Sequence, residues 1–291
     1  MTAEAPRRLV RGRPGFPPLL AEIENPPDEL WVRGSAPVGL LAQTAVAIVG
    51  SRACSPYGAQ VARLLGREVA AAGGMVVSGL ARGVDAEAHR GALEAGGPTV
   101  AVLGCGIDRD YPAAHAALAA RICETGLIVS EYEPGVEPAP FRFPLRNRII
   151  AGLCRATVIV EARERSGALI TATFATDAGR DVLAVPGEIT SSLSRGTNAL
   201  LRDGAKPVVE PEDVLVALGL AGPELRWLGP PLGSDESIVL SVLGSAAATA
   251  DEIARATALR PGPLAAALAS LEVDGLVKVA DGRYRAVLRP T

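Results

Sequence analysis

The stretch AVAIVGSR, residues 45–52, sets the pattern that decides the fold. An apolar run ends in glycine, serine and arginine, and a segment with helical periodicity follows. Apolar runs that alternate with helices are typical of parallel strands joined by crossover helices. The further runs are 75–77, 99–103, 127–129, 157–160, 182–185 and 207–209, and the predicted helices are 57–72, 83–95, 112–124, 146–154, 167–179, 196–203 and 211–218. The sequence predicts an α/β domain over 45–220, with a parallel sheet covered by helices on both faces.

Three further segments flank this domain. Residues 1–44 hold seven prolines and are expected to form a leader that packs on the core, with a short helix near 19–23 and a short strand near 30–32. Residues 221–232 read as a linker. Residues 233–291 carry three short helical units and two strands around Asp281-Gly282, a pattern that predicts a small winged-helix domain. Thr249 and Glu252 have the spacing of a capping box at the start of its second helix.

The composition is that of a globular protein, because 48% of the 291 residues are hydrophobic and 21% are charged. No uninterrupted apolar run reaches the 18 or so residues that a membrane helix needs, so we expect a cytoplasmic protein without membrane contact. Four scattered cysteines and two histidines predict no metal site. The formal net charge is −3, so any site for a polyanion must be local.

Ligands of an open parallel sheet bind beyond the carboxyl ends of its strands, where this sequence places small polar residues and arginine. Glycine admits a close backbone approach, serine donates, and a helix N-terminus offers free N–H groups, so the pattern indicates phosphate binding. For the helix starts at 166–167 and 195–198, capping alone is an equally good interpretation. The candidate residues are Gly50, Ser51, Arg52, Ser78, Gly79, Arg82, Ser166, Gly167, Thr171, Gly196, Thr197 and Asn198.

Residues 141–165 contain six arginines and two glutamates, a local charge of +4. Two of the ten aromatic residues of the chain lie among these arginines. Arginine for phosphates together with aromatic rings for unstacked bases is typical of single-strand binding without sequence readout. Alternatively, Phe143 anchors a loop on the core, and Arg146 or Arg148 pairs with Glu131 or Glu133. The candidates from this cluster are Arg142, Phe143, Arg146, Asn147 and Arg148.

Enzymatic signatures are weak in this sequence. The dinucleotide pattern GxGxxG and the P-loop pattern GxxxxGK do not occur at the expected places. Asp85 and His89 lie four residues apart on one predicted helix face, which suits an acid and base pair, but a structural hydrogen-bonding role is the favoured interpretation. No nucleophile elbow or paired carboxylates stand out. We therefore expect a binding protein with no catalytic residue and no cofactor.

Several motifs together resemble the DNA-processing protein A (DprA/Smf) family. They are VAIVGSR at 46–52, SGLARGVD at 78–85 with Ala88-His89, FPLRNRIIAGL at 143–153, SGALITA at 166–172, AVPG at 184–187 and GTN at 196–198. The resemblance spans residues 16–288. It implies an extended Rossmann-like domain that binds single-stranded DNA, forms a homodimer and loads the RecA recombinase during natural transformation. Many members have lysine where this chain has Arg142 or Arg146, so the contact made there stays open.

Two other functions are weighed against this interpretation. Nucleoside-monophosphate phosphoribohydrolases share a similar glycine-serine opening and parallel sheet, but they carry a PGGxGTxxE loop, and residues 166–171 have neither the double glycine nor the glutamate. A purely structural adaptor working through the winged helix leaves the arginine and aromatic cluster unexplained.

The predicted winged helix has an unusual recognition helix. It runs PGPLAAAL from 261 to 268, without the polar or basic residues that read base edges. Residues 233–291 carry six basic and seven acidic residues, so general attraction to phosphate is weak as well. We expect this domain to contact protein, and Arg283 and Arg285 leave room for a minor DNA contact.

Overall fold

The structure of the protein is a computed structural model that describes residues 6–220, 233–243, 248–273, 276–280 and 282–286. The chain divides into two compact units, Met1–Gly222 and Pro223–Thr291. We call them the first unit and the winged-helix unit. The linker expected at 221–232 and Asp281 of the expected turn lie outside the described residues.

The first unit is built on one nine-stranded sheet with the strand order β1-β2-β6-β5-β4-β3-β7-β8-β9. All neighbouring pairs among the strands β3 to β9 are parallel, which confirms the predicted parallel sheet of the central domain. The strands are β1 (Arg7–Val10), β2 (Glu29–Arg33), β3 (Ala45–Val49), β4 (Met75–Ser78), β5 (Thr99–Leu103), β6 (Leu127–Ser130), β7 (Ala156–Ile159), β8 (Asp181–Ala184) and β9 (Lys206–Pro207).

The N-terminal leader extends this sheet. The expected strand near 30–32 is β2, which pairs antiparallel with β6, and Trp31 lies opposite Ser130. The sequence analysis did not predict β1, which pairs antiparallel with β2 and forms the edge. The sheet is therefore mixed at this end. The strand β1 was not predicted because it has only four residues and lies in a proline-rich segment, where the periodicity of apolar residues is weak.

Helices cover both faces of the sheet, as predicted. In the first unit they are α1 (Pro18–Ala21), α2 (Pro56–Ala71), α3 (Val84–Glu94), α4 (Ala116–Thr125), α5 (Arg142–Gly152), α6 (Gly167–Asp177), α7 (Arg195–Arg202) and α8 (Pro211–Leu218). The sequence placed the start of α5 at 146, four residues too late. Pro144 lies in the first turn of α5, where a missing N–H costs nothing, so it does not break the helix.

The strands are buried on both sides because successive residues face opposite layers. Ala45, Ala47 and Val49 of β3 pack in one core with residues of α5 and α6. Val46 and Ile48 pack in a second core against α2, α3 and α8. The two layers fix the carboxyl end of β3 between helices from both faces, which makes this end a rigid place for a site.

The winged-helix unit contains α9 (Ser234–Leu243), α10 (Ala250–Thr257) and α11 (Pro261–Val273), with β10 (Ala248–Thr249), β11 (Val277–Ala280) and β12 (Arg283–Ala286) in the order β10-β12-β11. This arrangement confirms the predicted winged helix. The predicted capping box is also present: Thr249 Oγ1 accepts from Glu252 N, and the Glu252 carboxylate accepts from Thr249 N. No described helix of the chain combines the length and the apolar character needed to cross a membrane.

Candidate nucleic-acid interface

A groove lies at the carboxyl end of β3, where the chain order of the sheet reverses. From β3 the chain runs to β4 on one side, and it returns on the other side at β7. Ligands of doubly wound sheets bind at such a switch point. The main cavity here has a volume of about 560 Å³, and a smaller one of about 200 Å³ adjoins it through shared lining residues. We call the two together the switch-point groove. Both cavities are lined by Arg52, Ala81, Tyr111, Phe143 and Arg146.

Arg52 stands on a well-braced loop after β3. Ser51 N donates to Glu161 O at 2.8 Å, and Ser51 O accepts from Val84 N at 3.2 Å, so the loop is tied to β7 and to α3. The side chain of Arg52 is exposed and forms no ion pair with the described residues. Its guanidinium carbon lies 5.3 Å from the centroid of the Phe143 ring. The structure thus offers an available cation where the sequence predicted one.

Phe143 belongs to an aromatic stack on one wall of the groove. Its ring lies 5.2 Å from that of Tyr111, with 25° between the planes. It packs directly on the backbone of Gly104, where an added Cβ would come within 2.9 Å of the Phe143 ring. Tyr111 keeps 42% of its surface exposed. Phe143 is therefore a half-buried support, and Tyr111 and Arg52 carry the more open surfaces beside it.

Two more arginines line the groove from the loop between β7 and α6. Arg163 and Arg165 are exposed and form no ion pair among the described residues. The sequence analysis counted both in the basic cluster but did not assign them to the site. The signal was available, because they follow the predicted strand 157–160 at its carboxyl end. Together with Arg52 they give the main cavity three available cations.

Arg146 has a different position from the one the sequence predicted. It is buried on the groove floor, and Nη1 donates to Gly79 O at 2.9 Å and to Val102 O. Burial lowers the pKa of Arg146 to about 10, although the nearby Asp85 carboxylate acts in the opposite direction. Its hydrogen bonds hold the strand ends together, so Arg146 has a structural role, and its DNA contact stays a prediction.

Arg142 and Arg148 lie outside the lining of the switch-point groove. Arg142 donates to Glu137 O and stands over the Tyr132 ring at 4.9 Å. Arg148 pairs with Glu131 and also donates to Asn25 O at 2.9 Å. The ion pair with Glu131 is the structural alternative that the sequence left open. The DNA contacts of these two arginines therefore stay predictions, and both guanidinium groups already have protein partners.

The two helix starts that the sequence treated alike differ in the structure. At α6, Ser166 caps the helix by accepting from Ala168 N, and both Ser166 and Gly167 line the main cavity. Asn147 also lines it and donates to Gly167 O at 3.1 Å, while Thr171 lies buried in its floor.

At α7 the polar groups are used internally. Gly196 N donates to Ala162 O, Thr197 Oγ1 donates to Ser194 O, and the Asn198 side-chain amide bonds both N and O of Gly187. None of the three lines the groove. The phosphate contact at Gly196, Thr197 and Asn198 stays a prediction, and in the structure their polar groups hold the start of α7 to neighbouring loops.

The remaining candidates follow β3 and β4. Gly50 and Ser51 line the main cavity, while Gly79 and the exposed Arg82 line the smaller one. Ser78 is buried, and its hydroxyl donates to Ile48 O at 2.7 Å. A ligand cannot reach that hydroxyl, so Ser78 joins β3 and β4 instead of binding phosphate.

Asp85 and His89 have separate structural partners. The Asp85 carboxylate accepts from Gly79 N and Ala81 N, and burial raises its pKa. His89 Nδ1 donates to Thr99 Oγ1, whose own proton goes to Val76 O, and burial lowers the pKa of His89 to about 3. The imidazole is thus neutral. Among the described residues, no three of the types His, Cys, Asp and Glu are placed to hold a metal ion together.

The sequence matches two family models. Residues 7–219 match the DNA recombination-mediator protein A model, and residues 228–283 match the DprA winged helix domain. The chain is 47% identical over 204 residues to the DNA processing protein DprA of Streptococcus pneumoniae, which covers 69% of this chain and 70% of that protein.

Two solved structures are similar to the first unit. The X-ray structure of DprA from S. pneumoniae has a TM-score of 0.70 and 43% identity, covering 73% of this chain and 74% of the other. The structure of DprA from Helicobacter pylori, described with its single-stranded DNA binding mode, has a TM-score of 0.66 and 30% identity, covering 74% of this chain and 95% of the other. The model match over most of the chain, the sequence identity and the shared fold show that this chain belongs to the DNA recombination-mediator protein A (DprA/Smf) family.

Proposed function

We propose that the protein binds single-stranded DNA in the switch-point groove. The observation that carries this proposal is the convergence of three available arginines, Arg52, Arg163 and Arg165, with the Tyr111 and Phe143 rings around one groove. Guanidinium groups neutralise phosphates, and an open aromatic face accepts an unstacked base of any identity. The single-stranded DNA binding described for the H. pylori relative supports the same assignment.

The groove favours single strands over duplex because its rings are useful only to bases that are free to stack. A duplex presents its phosphates but keeps its bases paired. Titration of a fluorescent oligothymidine strand and of the matching duplex at several salt concentrations tests the proposal. We expect tighter binding of the single strand and a linear fall of log K with log salt concentration. Equal affinity for the two would reject the assigned role of the aromatic stack.

We propose further that the bound strand is protected and passed to the RecA recombinase in natural transformation, that the working form is a cytoplasmic homodimer, and that neither cofactor nor catalysis takes part. Family membership supports these steps. Light scattering tests the dimer. RecA-dependent strand exchange on DNA coated with single-strand-binding protein tests the loading step, and a rate unchanged by this protein would reject it.

The proposal that the protein catalyses no reaction can be tested separately. Asp85 is the carboxylate that lines the main cavity, and a hydrolase of the phosphoribohydrolase type would need an acidic residue there. Its carboxylate is instead directed at the backbone of the loop after β4. We expect no release of free base from nucleoside monophosphates. Release by the wild-type protein that disappears in Asp85→Asn would overturn the binding-only proposal.

A further inference from the structure

The loop after β4, residues 79–83, holds an unfavourable backbone conformation beside the groove. Leu80 has φ = 58°, in the left-handed region that side chains other than glycine rarely adopt. Such a conformation is unfavourable for leucine and persists only when its surroundings hold it. Leu80 is fully buried, and its neighbours Gly79 and Ala81 line the groove. The conformation of this loop therefore depends on the contacts made to it.

Four hydrogen bonds hold the loop. The Asp85 carboxylate accepts from Gly79 N at 3.1 Å and from Ala81 N at 3.3 Å, and Arg146 donates to Gly79 O at 2.9 Å. The fourth comes from His115, whose Nδ1 lies 2.9 Å from Leu80 O. Because a carbonyl only accepts, His115 is the donor. Of these partners, Asp85 and Arg146 line the groove, whereas His115 lies in the turn before α4 and lines neither cavity.

The end of the same loop also contacts the backbone next to Arg52. Gly83 has φ = 75°, and a Cβ there would come within 2.3 Å of Ser51 O, so the two backbones are in direct contact. Val84 N donates to Ser51 O at 3.2 Å. The peptide between Ser51 and Arg52 therefore contacts Gly83 and Val84. The loop that contains Gly83 is itself held by the hydrogen bond to Leu80 O. A continuous series of contacts thus leads from the His115 side chain, through the backbone of residues 80–84, to the backbone at Arg52.

We infer that His115 is a positioning residue of the groove: by donating to Leu80 O it fixes loop 79–83, and through that loop it fixes the position of Arg52. This inference rests on the proposed binding of single-stranded DNA. His115 itself touches no DNA. Its effect is to reduce the number of orientations that Arg52 must lose when a phosphate binds, which is how preorganisation raises affinity.

Two substitutions of His115 in the full chain separate the hydrogen bond from the packing. His115→Phe keeps a ring but has no donor, and His115→Asn places an amide N–H at the position of Nδ1. We expect His115→Phe to weaken oligothymidine binding about fivefold, because the loop must then be ordered when DNA binds, and His115→Asn to stay within twofold of wild type. His115→Leu serves as a second variant without a donor, should the phenylalanine variant not fold.

His89 supplies the matched control. It is also a buried histidine that donates through Nδ1, but its partner is Thr99 of β5, and no hydrogen bond among the described residues joins it to loop 79–83. His89→Phe should lower the melting temperature as His115→Phe does, and it should leave the affinity unchanged. Equal losses of affinity in the two phenylalanine variants would show a general effect of stability and would overturn the inference.

A double-mutant cycle with Arg52 decides whether the effect passes through that side chain. In an Arg52→Ala background, His115→Phe should cost clearly less affinity than in the wild type, because the guanidinium of Arg52 is no longer there to be positioned. A fivefold loss in both backgrounds would overturn the inference. If Arg52→Ala alone leaves the affinity unchanged, the proposed DNA site fails first, so the two failures are distinguishable.

Discussion

The switch-point groove and helix α11 of the winged-helix unit are two elements of a kind that binds nucleic acid in other proteins, and their surfaces are opposite in character. The main cavity of the groove gathers three available arginines and an aromatic stack. The exposed face of α11 carries Gly262, Ala265, Ala266 and Ala269, while Leu264, Leu268 and Leu271 are buried in the core of the unit. A winged helix is therefore no guarantee of base readout, since the motif fixes the position of a helix but not the chemistry of its surface.

The largest effect is expected from removing the three exposed cations of the main cavity. We expect Arg52→Ala, Arg163→Ala and Arg165→Ala together to lower oligothymidine affinity about a hundredfold at 0.1 M salt and to reduce the slope of log K against log salt by about 2, because three phosphate contacts are lost. The matched triple in the winged-helix unit is Arg255→Ala, Arg260→Ala and Lys278→Ala, which removes the same charge from exposed positions. Equal losses in the two triples would remove the distinction between the regions.

Aromatic residues provide the second test. Phe143→Ala should cost about 1–3 kcal/mol of binding free energy, because it removes the ring that supports both Tyr111 and Arg52. Phe143→Leu should restore the packing on Gly104 but not the affinity. In the winged-helix unit, Tyr284→Ala removes a half-buried ring next to its core and should leave the affinity unchanged. Thermal unfolding checks each variant, and a Phe143→Ala protein that fails to fold would identify the ring as a core anchor only.

Acid should also act differently on the two units. The pKa of His89 is about 3 in the folded chain, against an ordinary value near 6.5. Below pH 6.5 the unfolded state takes up a proton that the folded state refuses, so the free energy of unfolding falls as the pH drops from 6.5 towards 3. Between pH 8 and pH 5.5 the loss from this group is about 1.4 kcal/mol. Both histidines of the chain lie in the first unit, and the winged-helix unit has no counterpart.

Denaturant unfolding of a chain ending at Gly222, with and without His89→Asn, measures this contribution. The variant should show a weaker dependence on pH over that range. Burial raises the pKa of Asp85, and this makes the free energy of unfolding rise as the pH falls. The difference between the wild-type chain and the variant therefore isolates the contribution of His89. Parallel curves for the wild type and the variant would contradict a neutral buried His89.

The smallest effect is expected from deleting the winged-helix unit. A chain ending at Gly222 should keep its affinity for single strands within about twofold, because it retains the whole groove. The fragment 233–291 should bind neither single-stranded nor duplex DNA tightly at physiological salt, given its balanced charge. Gel-shift titration of both fragments measures this. A fragment 233–291 that binds as well as the whole chain would move the DNA site off the central sheet.

Much of the fold could be predicted because local signals carried it. Continuous apolar runs located the strands from β3 to β8, and Thr249 with Glu252 located the start of α10. The start of α5 was missed because Pro144 reads as a helix break unless its place in the first turn is known. The edge strand β1 was missed because four residues among prolines carry too little periodicity.

The site was predictable as a place and less so residue by residue. Arg52 and Arg146 both belong to basic motifs, yet one is exposed and the other buried, and that difference is set by the packing of α5 against the ends of β4 and β5. Likewise, nothing local distinguishes Ser166-Gly167 from Gly196-Thr197. Whether a helix N-terminus is free for a ligand depends on distant partners such as Ala162, which accepts from Gly196 N.

The order in which the sheet is threaded has a consequence for synthesis on the ribosome. Val46 of β3 pairs with Ala156 of β7, 110 residues later in the chain. Until β7 emerges, one side of β3 has no partner, and an unpaired buried strand is a hazard for aggregation. Contacts this distant in sequence also form slowly. We therefore expect the groove to be one of the last features of the first unit to assemble, and a nascent chain that stalls before residue 156 to require protection by a chaperone.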